Sequence, residues 1–327
     1  MRRLCGVLVL GLLVGAGYLG IVHAQGLTAA DYPAKMKAVA AANGALQKAL
    51  KSGAIRSDLV DFDFVEVKVA NNLFKQVVRD GKYDVAELAI VTYLQAKAYG
   101  KPYVLLPAVI VSRGQHHTIA YNPDRGPLKP SDLKGKRVGV RAYTVTTGTW
   151  VRGILASDYG VDINNVDWIT FEDPHVAEYQ DPPIVRRAPE GKQLTQMLLD
   201  GELAAGVVGD KLPDSKLKRL IPDAEAAAQK WAERHHGIPI NHMVVVRQEL
   251  SRSRPDVVKD IFRQLHESKR AAGLPDGGEL DPCQFDVEAC RPILEIIIDF
   301  CHQQKLIPRR MSVDELFDDT TRILGTP

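Results

Sequence analysis

The chain has 327 residues, 45% of them apolar and 25% charged, with a formal charge of +2. That length admits two domains of ordinary size, and the composition excludes a disordered chain. Near-neutral charge without a basic run excludes a charge-driven nucleic-acid or anionic-membrane surface.

Arg2 and Arg3 precede an apolar run over residues 4–22, and Val22-His23-Ala24 fits a small-x-small cleavage site before Gln25. This is the pattern of a secretory signal peptide over 1–24, which predicts export to the periplasm. An uncleaved anchor is the alternative, since the run is just long enough to span a bilayer if tilted. Residues 27–32 read as a weak strand and 34–50 as an Ala- and Lys-rich helix. Phe62, Phe64, Val65, Val67 and Val69 stand among charged side chains and predict a strand over 62–69. Asn71 or Asn72 caps a helix that stops near Gly81. Residues 85–91, 103–111 and 119–121 read as strands. The turn-rich segment Asn122-Pro123-Asp124-Arg125-Gly126-Pro127 marks a boundary or crossover. Strands follow at 136–140, 166–171, 204–208 and 239–246. Helices follow at 149–159, 194–200, 224–235, 257–270, 292–304 and 313–323. The alternation predicts an α/β fold with mostly parallel sheets. The crossover and the return strand near 240 predict two lobes, 27–121 with 242–327 and 122–241, with a ligand cleft between them.

Between the strand at 136–140 and the next helix stand Arg141, Tyr143, Thr144, Thr146, Thr147 and Gly148. Hydroxyls and a glycine at a helix start offer donors to an oxyanion, and Arg141 can pair with a carboxylate. Capping alone needs one such residue. Glu87 ends an apolar strand, where a charge needs a partner or a role. Arg113 and His117 follow the strand at 103–111. Asp210 and Lys211 follow that at 204–208, at the carboxyl end where open α/β sheets bind ligands. Glu172, Asp173 and His175 share that logic, and His242 opens the return strand at the crossover. The pair His116-His117 fits a metal site poorly, because neighbouring strand residues face opposite ways. Of the three cysteines after the leader, Cys283 and Cys290 are close enough in sequence to form a disulfide in an exported protein, with zinc as the rival. No nucleophile elbow, zincin or phosphate-loop motif occurs, and nothing calls for a cofactor.

Four stretches together carry a resemblance: Tyr83-Asp84-Val85-Ala86-Glu87-Leu88, Asp132-Leu133-Lys134-Gly135-Lys136-Arg137-Val138-Gly139-Val140, Trp150-Val151-Arg152-Gly153-Ile154-Leu155 with Tyr159-Gly160-Val161, and Met197-Leu198-Leu199-Asp200-Gly201-Glu202. Over residues 62–270 the chain resembles the type 2 periplasmic-binding-protein superfamily, in the branch of 4,5-dihydroxyphthalate decarboxylases and exported ABC-transporter substrate-binding proteins. The resemblance implies two α/β lobes that close over a small anionic ligand, delivered to ABC permease subunits. Its alternative implication is decarboxylation of a hydroxylated aromatic acid, with His242 or His117 as the acid–base group.

Overall fold

The computed structural model describes residues 36–41, 45–65 and 71–325, so the predicted leader and the 27–32 strand lie outside the described residues. The chain opens with β1 (Met36–Ala41), α1 (Ala45–Lys51), β2 (Val60–Phe64) and α2 (Asn71–Asp80). β3 (Val85–Ala89), α3 (Ile90–Ala98) and β4 (Tyr103–Ser112) follow. A 3-10 turn at His116–Thr118 leads to β5 (Ile119–Tyr121) and then β6 (Arg137–Val140), α4 (Thr146–Tyr159), β7 (Asp167–Thr170) and β8 (Val185–Arg187). Next come α5 (Leu194–Leu199), β9 (Ala205–Val207), β10 (Lys218–Arg219), α6 (Ala224–Arg234) and β11 (Ile240–Arg247). α7 (Gln248–Ser253), α8 (Pro255–Ala271) and α9 (Val287–Gln303) complete the helices.

Two sheets result, in strand orders β2-β1-β3-β11-β4 and β10-β5-β9-β6-β7-β8. They are mixed rather than mostly parallel. β11 runs antiparallel to β3 and β4, and β5 runs antiparallel to β9 and β10. These are the strands that arrive from the other sheet, and each enters against the direction of its neighbours. The chain passes to the second sheet between Ser112 and Ile119, so 119–121, read from sequence with the first lobe, pairs inside the second sheet. It returns before Ile240, and the Arg113 amide donates to the Pro239 carbonyl at 3.0 Å, which stitches the two crossing segments together.

The central strands are buried on both faces, as inner strands of covered sheets must be. On β11, Met243 and Val245 face one core cluster while Val244 and Val246 face another, which is the period-2 alternation of a strand. The larger cluster is continuous from α2, α3 and β3 through Trp150, Ile154 and Trp168 to Ile293, Leu294 and Ile297 of α9.

Four expectations are corrected. Residues 36–41, expected in a helix, form a strand, because parallel pairing with β2 and β3 overrides the local alanine preference. Residues 90 and 91, expected as the tail of the 85–91 strand, instead open a helix that runs on to Ala98. Residues 313–323 carry only a 3-10 turn at Asp314–Leu316. Cys283 and Cys290 are not bridged: all three described cysteines are free and buried. Cys283 packs in the cluster against α8, its Sγ 3.8 Å from the Ile110 carbonyl, whereas Cys290 faces the larger cluster from the first turn of α9. Burial pushes the Cys290 thiol up to about 12, which leaves it protonated and inert.

Candidate ligand site between the two sheets

Two helix N-termini meet where the sheets face each other. α3 starts directly after β3, and α4 starts after the turn that follows β6. Their cap residues, Ala89 and Val145, supply no side-chain cap, so first-turn N–H groups of each helix need partners from elsewhere. One partner comes from the opposite helix: Thr146 Oγ1 accepts from the Val91 amide at 3.3 Å. The hydroxyl that the sequence offers as a cap or a ligand donor thus caps the other lobe's helix.

On the first-sheet side, Glu87 is 2% exposed and its Oε1 lies 2.5 Å from His242 Nδ1. The two residues sit on adjacent strands as a diagonal pair on one face, two residues apart in a register that sets Glu87 opposite Val244 and His242 opposite Ala89. The His242 ring stands edge-on to Phe74 at 5.3 Å between centroids, and Phe74 meets His175 in the same manner at 5.5 Å. His175 Nδ1 is 2.8 Å from Thr92 Oγ1, and Arg79 donates to the carbonyls of Pro174 and His175 at 2.8 Å each. Burial first, then the positive charges of Arg141, Lys75 and Arg79, push His175 down to about 3, so the ring is neutral.

On the second-sheet side, Arg113 Nε lies 2.9 Å from Asp210 Oδ1, which His117 Nε2 also approaches at 3.1 Å. Arg113 Nη2 and Asn241 Nδ2 each donate to Thr147 Oγ1 at 3.4 Å, and Gln115 Nε2 donates to Asn241 Oδ1 at 2.7 Å. Arg219 donates to the carbonyls of Gly209 and Asp210, which fixes the loop that carries Asp210.

The predicted residues therefore fall into two groups and a remainder. Glu87 with His242, and Arg113 with His117, Asp210 and Thr147, are brought together, with Thr146 between the helices. Arg141 pairs with Glu172 at 2.8 Å and is partly exposed. Thr144 is buried, and Lys211 lies on the surface. Tyr143 is buried beneath the Arg152 guanidinium, 3.8 Å from its ring centre. Gly148 is explained by packing: a Cβ there would sit 2.8 Å from Val140 Cγ2. Sequence reasoning missed Phe74 and Asn241 and found Thr92 only an unspecific candidate. Of the two missed, only Asn241 had a signal, as the polar neighbour of His242 at the start of an apolar strand. Among the described residues no group of three or more His, Cys, Asp or Glu is placed to hold a metal ion. None of the described helices is long and apolar enough to cross a membrane.

No family model matches the chain. It is 32% identical over 249 residues to a 4,5-dihydroxyphthalate decarboxylase of Comamonas testosteroni, an alignment that covers 72% of this chain and 74% of the relative. Among solved structures, the alkanesulfonate-binding protein SsuA of Xanthomonas axonopodis pv. citri, bound to MOPS, superposes with a TM-score of 0.57 at 13% identity, over 88% of this chain and 99% of that one. The desulfurization enzyme DSZB superposes at 0.52 with 14% identity, over 87% and 97%. One fold thus carries both binding proteins and enzymes. The sequence identity and the two-sheet architecture agree: the chain belongs to the 4,5-dihydroxyphthalate decarboxylase family, within the type 2 periplasmic-binding-protein superfamily.

Proposed function

We propose that this chain is an exported solute-binding protein that captures a small organic anion, a carboxylate or a sulfonate, at the junction of α3 and α4. It would hand that ligand to the permease subunits of an ABC-type importer. The observation that carries the reading is the meeting of two helix N-termini from different sheets, tied by Thr146, with Arg113 against Thr147. Both helices present N–H groups and the positive ends of their dipoles, so an anion between them is favoured from both sides. The basic and apolar leader supports export. Closure of the lobe built on the first sheet over the lobe built on the second, about the stitched crossings, would select the liganded state through its extra contacts.

The test is thermal unfolding of the mature protein with phthalate, 4,5-dihydroxyphthalate and MOPS. A ligand at a hundredfold excess over Kd adds about 2.7 kcal/mol. Absence of any shift with all three, or an Arg113→Ala variant that binds as tightly as the parent, would sink the reading.

A second reading is favoured by one contact, the 2.5 Å pair of Glu87 and His242. A buried carboxylate against Nδ1 fixes the orientation of the imidazole, as an acid–base group requires. In a carboxy-lyase the bond from ring carbon to carboxylate carbon breaks and its electron pair stays on the ring carbon. Carbon dioxide leaves, the ring carbon takes the proton from His242 Nε2, and solvent returns a proton to the imidazole. Release of carbon dioxide from 4,5-dihydroxyphthalate, lost in His242→Gln while binding persists, would establish this reading over transport.

A further inference from the structure

The motif Trp150-Val151-Arg152-Gly153-Ile154-Leu155 plays no part in the site as described above. Two of its members are accounted for by packing. Trp150 Nε1 donates to the Ile240 carbonyl at 2.8 Å, and Gly153 lies against the Phe300 ring, where a Cβ would come within 2.1 Å of Cδ2. Arg152 needs another account. Its side chain is wholly buried, and no carboxylate among the described residues forms an ion pair with it. Nη2 donates to the Tyr143 carbonyl at 2.5 Å and reaches Thr149 Oγ1 at 3.4 Å. Nε donates to Gln304 Oε1 at 2.7 Å, and Gln304 Nε2 donates onward to the Thr149 carbonyl at 2.9 Å. The guanidinium carbon lies 3.8 Å from the Tyr143 ring centre and 5.3 Å from that of Trp168. Nη1 has no partner, and it lies under the first turn of α4, 3.2 Å from where a Cβ of Gly148 would be.

A buried cation without an ion-pair partner is costly, and the longer-range pull of Asp181, aromatic faces and neutral hydrogen bonds offset only part of that cost. An anion at the helix start directly above, as proposed, would supply the close negative charge that no ion pair supplies. We propose that Arg152 is a positioning residue that fixes the 143–149 turn and lends a positive charge that no ion pair neutralises to the anion bound at the N-terminus of α4. The inference rests on the anion-site reading. The charge acts through a low-dielectric interior, where Coulomb forces reach over several ångströms, and it has the same sign as the helix dipole end.

The experiment is calorimetric titration of phthalate into the full mature protein, its Arg152→Met and Arg152→Lys variants, and Gln304→Leu, which cuts the tether but keeps the charge. Arg152→Met is expected to weaken phthalate binding by roughly tenfold or more. Arg152→Lys, with the charge restored, should stay within about threefold of the parent, and Gln304→Leu should keep the parent's salt dependence of binding. Equal losses in the Lys and Met variants, or an unchanged Met variant, would show a packing residue only and overturn the inference. If Arg152→Met does not fold, the Lys variant decides alone: a loss of tenfold or more overturns the inference. A parent protein that binds no anion removes the site reading itself, a result distinct from any of these.

Discussion

His175 shows how one side chain joins the two sheets. It follows β7 in the second sheet, yet its ring packs on Phe74 and meets Thr92 on α3, beside the first. Held at about 3 in the folded protein against 6.5 when exposed, it stays neutral where the unfolded chain takes up a proton. The unfolded state therefore binds more protons between these values, and stability falls as pH drops through that window. His116, pushed down to about 4 chiefly by burial, adds in the same direction. Asp276 and Glu315, both held near 2 by ion pairs, lose their contributions only below the ordinary carboxylate range. Urea titrations between pH 6.5 and 5 should thus show a slope that His175→Gln reduces. An unchanged slope would mean that the ring is not buried neutral. Glu87 was legible in the sequence, because a charge in an apolar strand demands a partner. His175 was less so, since nothing local says that a loop after β7 will reach across to α3. The cysteine pairing was not legible either: sequence proximity cannot tell which core each thiol faces. All three thiols should accordingly stay unreactive to an aromatic disulfide reagent in the native protein and react on unfolding. Fast reaction of any one of them in the native protein would contradict its burial.

At the scale of elements, legibility followed amphipathicity. α2 and α8 carry an apolar stripe and a polar face, and both were readable with nearly correct ends. α3 was not, because residues 90–96 are buried all round and merge with the apolar run of β3. The start of α4 was read three residues late, since its first turn is made of threonines and glycine. The motif on α4 is explained by what packs on it. Gly153 accepts Phe300, whose ring stands edge-on to Trp150 at 5.7 Å, and Trp150 in turn meets Trp231 at 5.7 Å. A Cβ at Gly153 would overlap the Phe300 ring as far in as Cγ, at 2.5 Å, so Gly153→Ala must push α9 off α4. Overpacking of this kind costs about 1–3 kcal/mol. Chemical denaturation should register it as a lower midpoint with an unchanged slope. A neutral result would mean that the α4–α9 contact is looser than these distances require.

At the scale of the molecule, the two sheets are tied together by more than two crossing segments. Gln95 of α3 donates to the Leu306 carbonyl, and Tyr93 donates to that of Leu316, which anchors the segment after α9 on the first lobe. Gln304, just past α9, bonds Thr149 and Arg152 of α4 on the second. The larger core cluster runs through all of them without a break. Two lobes that share one core cannot unfold one at a time without exposing that core, and a shared core also limits how far they can swing apart. The sequence pointed to two lobes because it shows where the chain crosses. It could not show that the C-terminal helix returns to fasten both, since that depends on contacts between residues about 150 positions apart. The tryptophans allow a test. Trp150, Trp168 and Trp231 all lie among the elements of the second sheet and are all buried, so their fluorescence reports on that lobe, whereas far-ultraviolet circular dichroism reports on both. The two signals should trace one coincident urea transition, shifted together to higher denaturant by a bound anion. Tyr93→Phe, which removes one tie and leaves the ring in place, should lower the midpoint while the signals stay superimposed. Separation of the two curves in the parent protein would show that the lobes unfold independently and that the shared core does not couple them.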